Sequence, residues 1–160
     1  MAIRNIVKVG DDILNKKCRP VIDFNDRLFT LLEDMHETLT DAHGAGLAAP
    51  QVGILRRVVV VDVGDGLIEM INPVILSTEG EQTGPEGCLS VPGRSGVVTR
   101  PNVVTVEYQD ARGDTYEATA EGFLARAFCH EIDHLDGVVY VDKMDREIFP
   151  GEEEEEEEEE

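Results

Sequence analysis

Long apolar runs are missing from this chain. No stretch approaches the roughly 20 consecutive apolar residues that span a bilayer. The N-terminal stretch MAIRNIVKVGDD also lacks the apolar block of a secretory signal. Cysteine is scarce and odd in number: Cys18, Cys88 and Cys129. A disulfide framework is therefore not expected, and a reducing cytoplasm is the default setting, where cysteine serves packing or chemistry. Positive charge is short as well. The 14 Lys and Arg residues face 34 Asp and Glu residues, for a formal charge of −20. Nine of those negative charges form the run Glu152 to Glu160, which leaves −11 on the rest. An acidic body argues against stable, non-specific attachment to phosphate backbones. No internal repeat is evident.

What is present suits a single globular domain. At 160 residues with 41% hydrophobic content, the chain can bury a real core. Asp23 to Asn25 offer caps for a helix in which Leu28, Leu31, Leu32, Met35 and Leu39 form one apolar stripe. Its end is expected between Ala42 and Gly44, with glycine taking the left-handed exit. His36 and His43 read as solvent-facing or capping residues. Arg57 to Val63 is a β-branched run that reads as a buried strand. Ile68 to Leu76 reads as another, with Pro73 at an edge or bulge. Val97 to Thr99, Val103 to Tyr108 and Thr115 to Ala120 read as shorter strands. Gly122 to Leu135 reads as a helix capped by Gly137. The pattern predicts an α+β domain, its antiparallel sheets packed around a C-terminal helix. Residues 1–147 form that domain, and residues 148–160 an acidic, disordered tail.

The C-terminal helix carries His130-Glu131-Ile132-Asp133-His134. Histidines at i and i+4 project from one face and can hold one metal ion, and Glu131 lies about 100° round the helix beside them. H-E-x-x-H on a helix is a pattern of metal-assisted hydrolysis. Two imidazoles are not enough, because a catalytic zinc-like centre takes three protein ligands and keeps one position open. The metzincin completion fails, since Tyr140 stands where the third histidine belongs and no histidine follows His134. Glu147 lies in no convincing helix. Cys88, in P-E-G-C-L-S-V-P, is presented by a stiffened segment and completes a Cys-His-His set. Cys129 points away from the histidine face and reads as packing, as does Cys18. Two other readings stay open: a metallopeptidase, and a structural metal domain with a fourth protein ligand.

Three segments in order resemble peptide deformylase: Gly44-Ala45-Gly46-Leu47-Ala48-Ala49-Pro50-Gln51, Glu86-Gly87-Cys88-Leu89-Ser90, and the H-E-I-D-H motif. The similarity runs over most of residues 1–147. It implies removal of the formyl group from the N-terminal methionine of new polypeptides, with release of formate. It implies one divalent metal ion on Cys88, His130 and His134, typically iron(II), with zinc(II), nickel(II) or cobalt(II) as alternatives. Glu131 is then the general base. The Gln51 amide and the Leu89 backbone N–H stabilise charge on the formyl oxygen. Gly46 lets the substrate backbone lie close, and Ala45, Phe123 and Ala127 line the methionine pocket. Glu86 and Arg100 brace the Cys88 loop, and Asp133 orients an imidazole or faces water.

The implied partners are N-formylmethionyl nascent polypeptides, with a transient ribosome contact and no membrane. The implied place is the cytoplasm of a bacterium, an organellar origin being left open. Two positions depart from the family pattern. Cys129 stands where glutamine is frequent, and the chain ends in glutamates where some relatives carry a basic ribosome-contacting helix. A glutamate run repels ribosomal RNA, so any docking there uses another surface.

Overall fold

The computed structural model describes residues 2–149. Its first helix, α1, spans Asp26–Ala42. The Asn25 side chain caps it, accepting from the Leu28 N–H at 3.3 Å. The five apolar residues of the stripe are all buried. The left-handed residue after the helix is His43 (φ 56°), not glycine. Gly44 is needed one step later for a different reason. A Cβ there would meet Leu89 Cδ1 at 2.8 Å and Leu39 Cδ1 at 2.9 Å. Close packing fixes the glycine, and His43 absorbs the positive φ in its place.

Five strands form one antiparallel sheet: β1 (Gly46–Ala48), β2 (Val58–Val61), β3 (Ile68–Glu79), β6 (Val103–Gln109) and β7 (Thr115–Glu121), in the order β1-β2-β3-β6-β7. Successive side chains of a strand point to opposite faces. In β2 this splits four buried valines. Val59 and Val61 join Met70, Val104, Val106 and Ala120 in one core cluster, while Val58 and Val60 join Ile71 and the α1 stripe in another. The expected buried strand is therefore buried on both faces. At Pro73, β3 slips register between Ile71 and Val74. Asn72 takes φ 52° there, and its side chain bonds Val21 on both backbone groups and Gln109 Oε1.

A second antiparallel sheet holds β4 (Gln82–Cys88), β5 (Val91–Arg100) and β8 (Arg146–Ile148), in the order β4-β5-β8. Cys88 pairs with Val91, so Leu89 and Ser90 form the turn between β4 and β5. The ladder reaches well past Val97 to Thr99, and β4 and β8 lie where strands were not expected. Ile148 is buried in β8, so the fold extends one residue past the boundary at 147. The run Glu152 to Glu160 lies outside the described residues.

The second helix, α2, spans Phe123–Leu135. Ala125, Phe128, Cys129, Ile132 and Leu135 pack on the face of the larger sheet opposite α1. Its last carbonyls are closed by Gly137 N–H to His134 O and Val138 N–H to Asp133 O. Gly137 meets two demands at once. It has φ 79°, and a Cβ there would fall 2.6 Å from the Asn15 carbonyl oxygen. Antiparallel sheets around a C-terminal helix are what the hydrophobic periodicity predicts.

Candidate metal centre

Three chain segments converge beside α2. The helix brings His130 and His134 to one face, with ring centroids 5.2 Å apart. The end of β4 brings Cys88, whose Sγ lies 3.4 Å from His134 Nε2. Cys88, His130 and His134 each offer one ligand atom, and these atoms all lie within 4.8 Å of one another. The turn after β1, Ala49–Val52, brings Gln51. Its Oε1 accepts from the Ala48 N–H at 2.9 Å, while its Nε2 donates to Ser90 Oγ at 3.0 Å and contacts Cys88 Sγ at 3.4 Å. Gln51 is 1% exposed, so its amide orientation is set by these bonds and not by water.

Glu131 sits 3.9 Å from His130 Nε2 through its Oε2. Its carboxylate occupies the space a side chain at Gly46 would need, 2.6 Å from the built Cβ position. Burial pushes its pKa up to about 7, the charge on His130 opposing and that on Glu86 assisting. Its Oε1 is buried with no hydrogen-bond partner among the described residues. His134 Nδ1 is orphaned in the same way. Burial, with the charges of His130 and Arg100, lowers the His134 pKa to about 3 and keeps a neutral ring ready to donate a lone pair. At His130 burial acts downward, yet Glu131, Cys88 and Glu86 outweigh it and raise the pKa to about 10. The pocket thus gathers negative charge around a set of N and S donors. A divalent cation answers that imbalance, so the donors fit a metal ion.

A buried ionic network stands behind the donors. Glu86 takes two bonds from Arg100, at 2.9 Å each, and one from Arg126 at 2.5 Å. Its Oε1 lies 2.9 Å from His130 Nδ1. Burial opposes ionisation of Glu86, but His130 and Arg100 hold its pKa down at about 2. The carboxylate beside His130 is therefore Glu86, the partner that fixes an imidazole's tautomer. Asp133 bonds Arg100 at 2.5 Å and Lys143 at 3.1 Å, so it neither orients an imidazole nor simply faces water. The expected Glu86–Arg100 pair exists and is buried, at 7% and 2% exposure.

A cavity of about 320 Å³ opens over these groups. Ala45, Gly46, Leu89, Phe123 and Ala127 line it along with Cys88, His130 and Glu131. Phe123 stands at the surface, 60% exposed, whereas Ala127 is buried. Arg126 carried no expected role from sequence, and neither Ser90 nor Tyr140 was given one in the site. Arg126 precedes His130 by four, and both reach Glu86, so i, i+4 spacing carried that signal. Tyr140, where the metzincin histidine would stand, stacks on the His130 ring at 6.0 Å. Cys18 and Cys129 are buried in the α2 core, and burial pushes both thiols up to about 11, in line with packing roles.

Residues 3–148 match the family model described as Polypeptide deformylase. The chain belongs to the peptide deformylase family. It is 59% identical over 146 residues to a peptide deformylase of Caldanaerobacter subterraneus, covering 91% of this chain and 92% of that one. Identity to the peptide deformylase of Lachnoclostridium phytofermentans is 55% over 151 residues, covering 92% and 93%. The crystal structure of the Thermotoga maritima peptide deformylase superposes with a TM-score of 0.89 at 41% identity, covering 90% of this chain and 99% of that one. Members of this family are metal-dependent enzymes that remove the N-formyl group from the terminal methionine of nascent polypeptides. Among the described residues no helix is long and apolar enough to cross a membrane.

Proposed function

We propose that Cys88, His130 and His134 hold one divalent ion, iron(II) by family, and that Glu131, Gln51 and Leu89 carry the deformylation chemistry around it. Zinc(II), nickel(II) and cobalt(II) suit the same donor set. The observation that carries the proposal is the convergence of three ligand atoms within 4.8 Å beside a buried carboxylate in a cavity. When bound, such an ion lowers the pKa of water and polarises the formyl oxygen.

The chain's own groups supply the rest. Glu131 takes the proton of the attacking water and passes it to the leaving amine, so that water and formamide become formate and a free N-terminus. Its elevated pKa, near neutrality, suits a group that must both accept and release a proton. The Gln51 amide, held at its oxygen end by Ala48, presents Nε2 towards Cys88. The Leu89 N–H comes from the β4–β5 turn, outside the strand ladder. Together they bind the oxygen as its charge grows, each donor contributing ~3 kcal/mol in sites of this kind. Ala45, Phe123 and Ala127 take the methionine side chain, and Gly46 leaves room for both Glu131 and the substrate backbone. Glu86 holds His130 in one tautomer. The enzyme works in the bacterial cytoplasm on nascent chains, and any ribosome contact is transient.

The test compares a formyl-methionyl peptide with its unformylated twin. Formate release from the first and no internal cleavage of either is expected, and internal cleavage would favour the peptidase reading. Glu131→Ala should keep its metal and lose nearly all turnover; a metal-loaded, active Glu131→Ala protein refutes the base assignment. Protein purified without oxygen should contain iron and lose activity in air. A zinc-only, air-stable, fully active enzyme overturns the iron assignment.

A further inference from the structure

The stretch before the first turn of helix is anchored along its length. The Ala2 N–H donates to Asp34 Oδ1 at 2.7 Å, Arg4 Nε to Asp34 Oδ2 at 2.9 Å, and the Arg4 N–H to Thr38 Oγ1 at 2.9 Å. Asp34 and Thr38 lie on α1 and are 4% and 1% exposed. Further on, the Val7 N–H donates to the Gln51 carbonyl and the Val9 N–H to the Ser90 carbonyl, each at 2.7 Å. Those two acceptors sit in the two segments that carry Gln51 and Leu89. One follows β1 of the larger sheet, and the other closes β4 and β5 of the smaller sheet. The same two residues are also joined through their side chains, Gln51 Nε2 to Ser90 Oγ.

We infer that residues 2–9 are a positioning element for the reaction, their Val7 and Val9 amides setting the separation of Gln51 and Leu89; this rests on the donor roles proposed above. Two residues of chain span at most about 7 Å. Tethered to consecutive odd-numbered amides, the Gln51 and Ser90 carbonyls cannot drift apart, although they lie in turns attached to different sheets. Charge-stabilising donors work only if they are fixed before the reaction begins, and a displacement of about 1 Å can cost a hundredfold in rate. The Val9 side chain does not explain the placement, because it is 43% exposed. The amide is the functional part of that residue, and the Asp34 and Thr38 anchors keep the segment under control at its other end.

The experiment replaces the Val7 or Val9 amide by an ester, incorporating the α-hydroxy analogue of valine into the full-length metal-loaded enzyme. The N–H is lost and the preceding carbonyl becomes a weaker acceptor, which at Val9 is the Lys8 carbonyl that takes the Asp11 N–H. We expect kcat on a formyl-methionyl peptide to fall about tenfold, with KM and metal content unchanged. Val9→Pro, which also lacks the N–H, should behave like the Val9 ester, and Val9→Ala, which keeps it, should run about tenfold faster than either. In a Gln51→Leu background the Val7 ester should add almost nothing, since the donor it positions has gone. Unchanged kcat in folded, metal-loaded ester proteins overturns the inference. An equal loss with and without the Gln51 side chain also overturns it, by showing a general structural effect. If Gln51→Leu itself keeps the parent kcat, the donor reading fails first, and that failure is seen without any ester.

Discussion

At the scale of single residues, two side chains are decided by what they touch. Gly46 is small because Glu131 fills the place of its side chain. Gly46→Ala should therefore displace the carboxylate. Turnover should drop about a hundredfold with metal content unchanged, measured by kcat and metal analysis. Glu86 neutralises two buried arginines and holds His130. Glu86→Ala removes the carboxylate that Arg126 and Arg100 share and leaves Arg100 with Asp133, which costs about 3–5 kcal/mol in denaturant unfolding. It should also weaken metal binding roughly tenfold or more, because the His130 tautomer is no longer set. Much of this site is legible in sequence. Cys88, His130 and His134 follow from spacing and donor type. The Glu86–His130 contact does not, since 44 residues of chain separate the two and only the fold joins them. Asp133 departs from expectation for the same reason: in sequence it stands between Ile132 and His134, whereas in space its partners are Arg100 and Lys143.

At the scale of elements, strong periodicity was readable and pairing-dependent structure was not. The α1 stripe and the valine run of β2 bury themselves by pattern alone. β4, reading Q-T-G-P-E-G-C, has two glycines, a proline and a glutamate in seven residues and little strand propensity. It is a strand because β5 lies beside it. The exit from α1 shows a similar override, with His43 taking the left-handed role while Gly44 is reserved for packing. The clamp of residues 2–4 on α1 gives an acid-sensitive prediction. Burial raises the Asp34 pKa, but the Ala2 amide and the Arg4 guanidinium outweigh it and hold the pKa below the usual value. The contribution of this carboxylate to stability is thus complete above its unfolded pKa of about 3.9 and fades as pH falls through the lower folded value. Hydrogen exchange in residues 2–9 should quicken, relative to the chain as a whole, as pH drops below about 4. Asp34→Asn should flatten that dependence.

At the scale of the whole molecule, charge is distributed unevenly along the chain. The run Glu152 to Glu160 holds nine of the twenty net negative charges and stands apart in sequence from Cys88, His130 and His134. Its removal should leave kcat and KM on a short formylated peptide within about twofold while raising the isoelectric point, as steady-state kinetics and focusing would show. A large loss of rate would mean that the run takes part in catalysis.

β2 is a wall shared by two rooms. Val59 and Val61 face the compartment that seats the histidine helix, and Val58 and Val60 face the one that seats α1. A partition of this kind lets most substitutions on one side leave the other in shape. An engineer seeking a hardier enzyme should therefore renovate the α1 chamber first, keeping Leu39, Leu89 and the Asp34 and Thr38 anchors, which reach the chemistry next door.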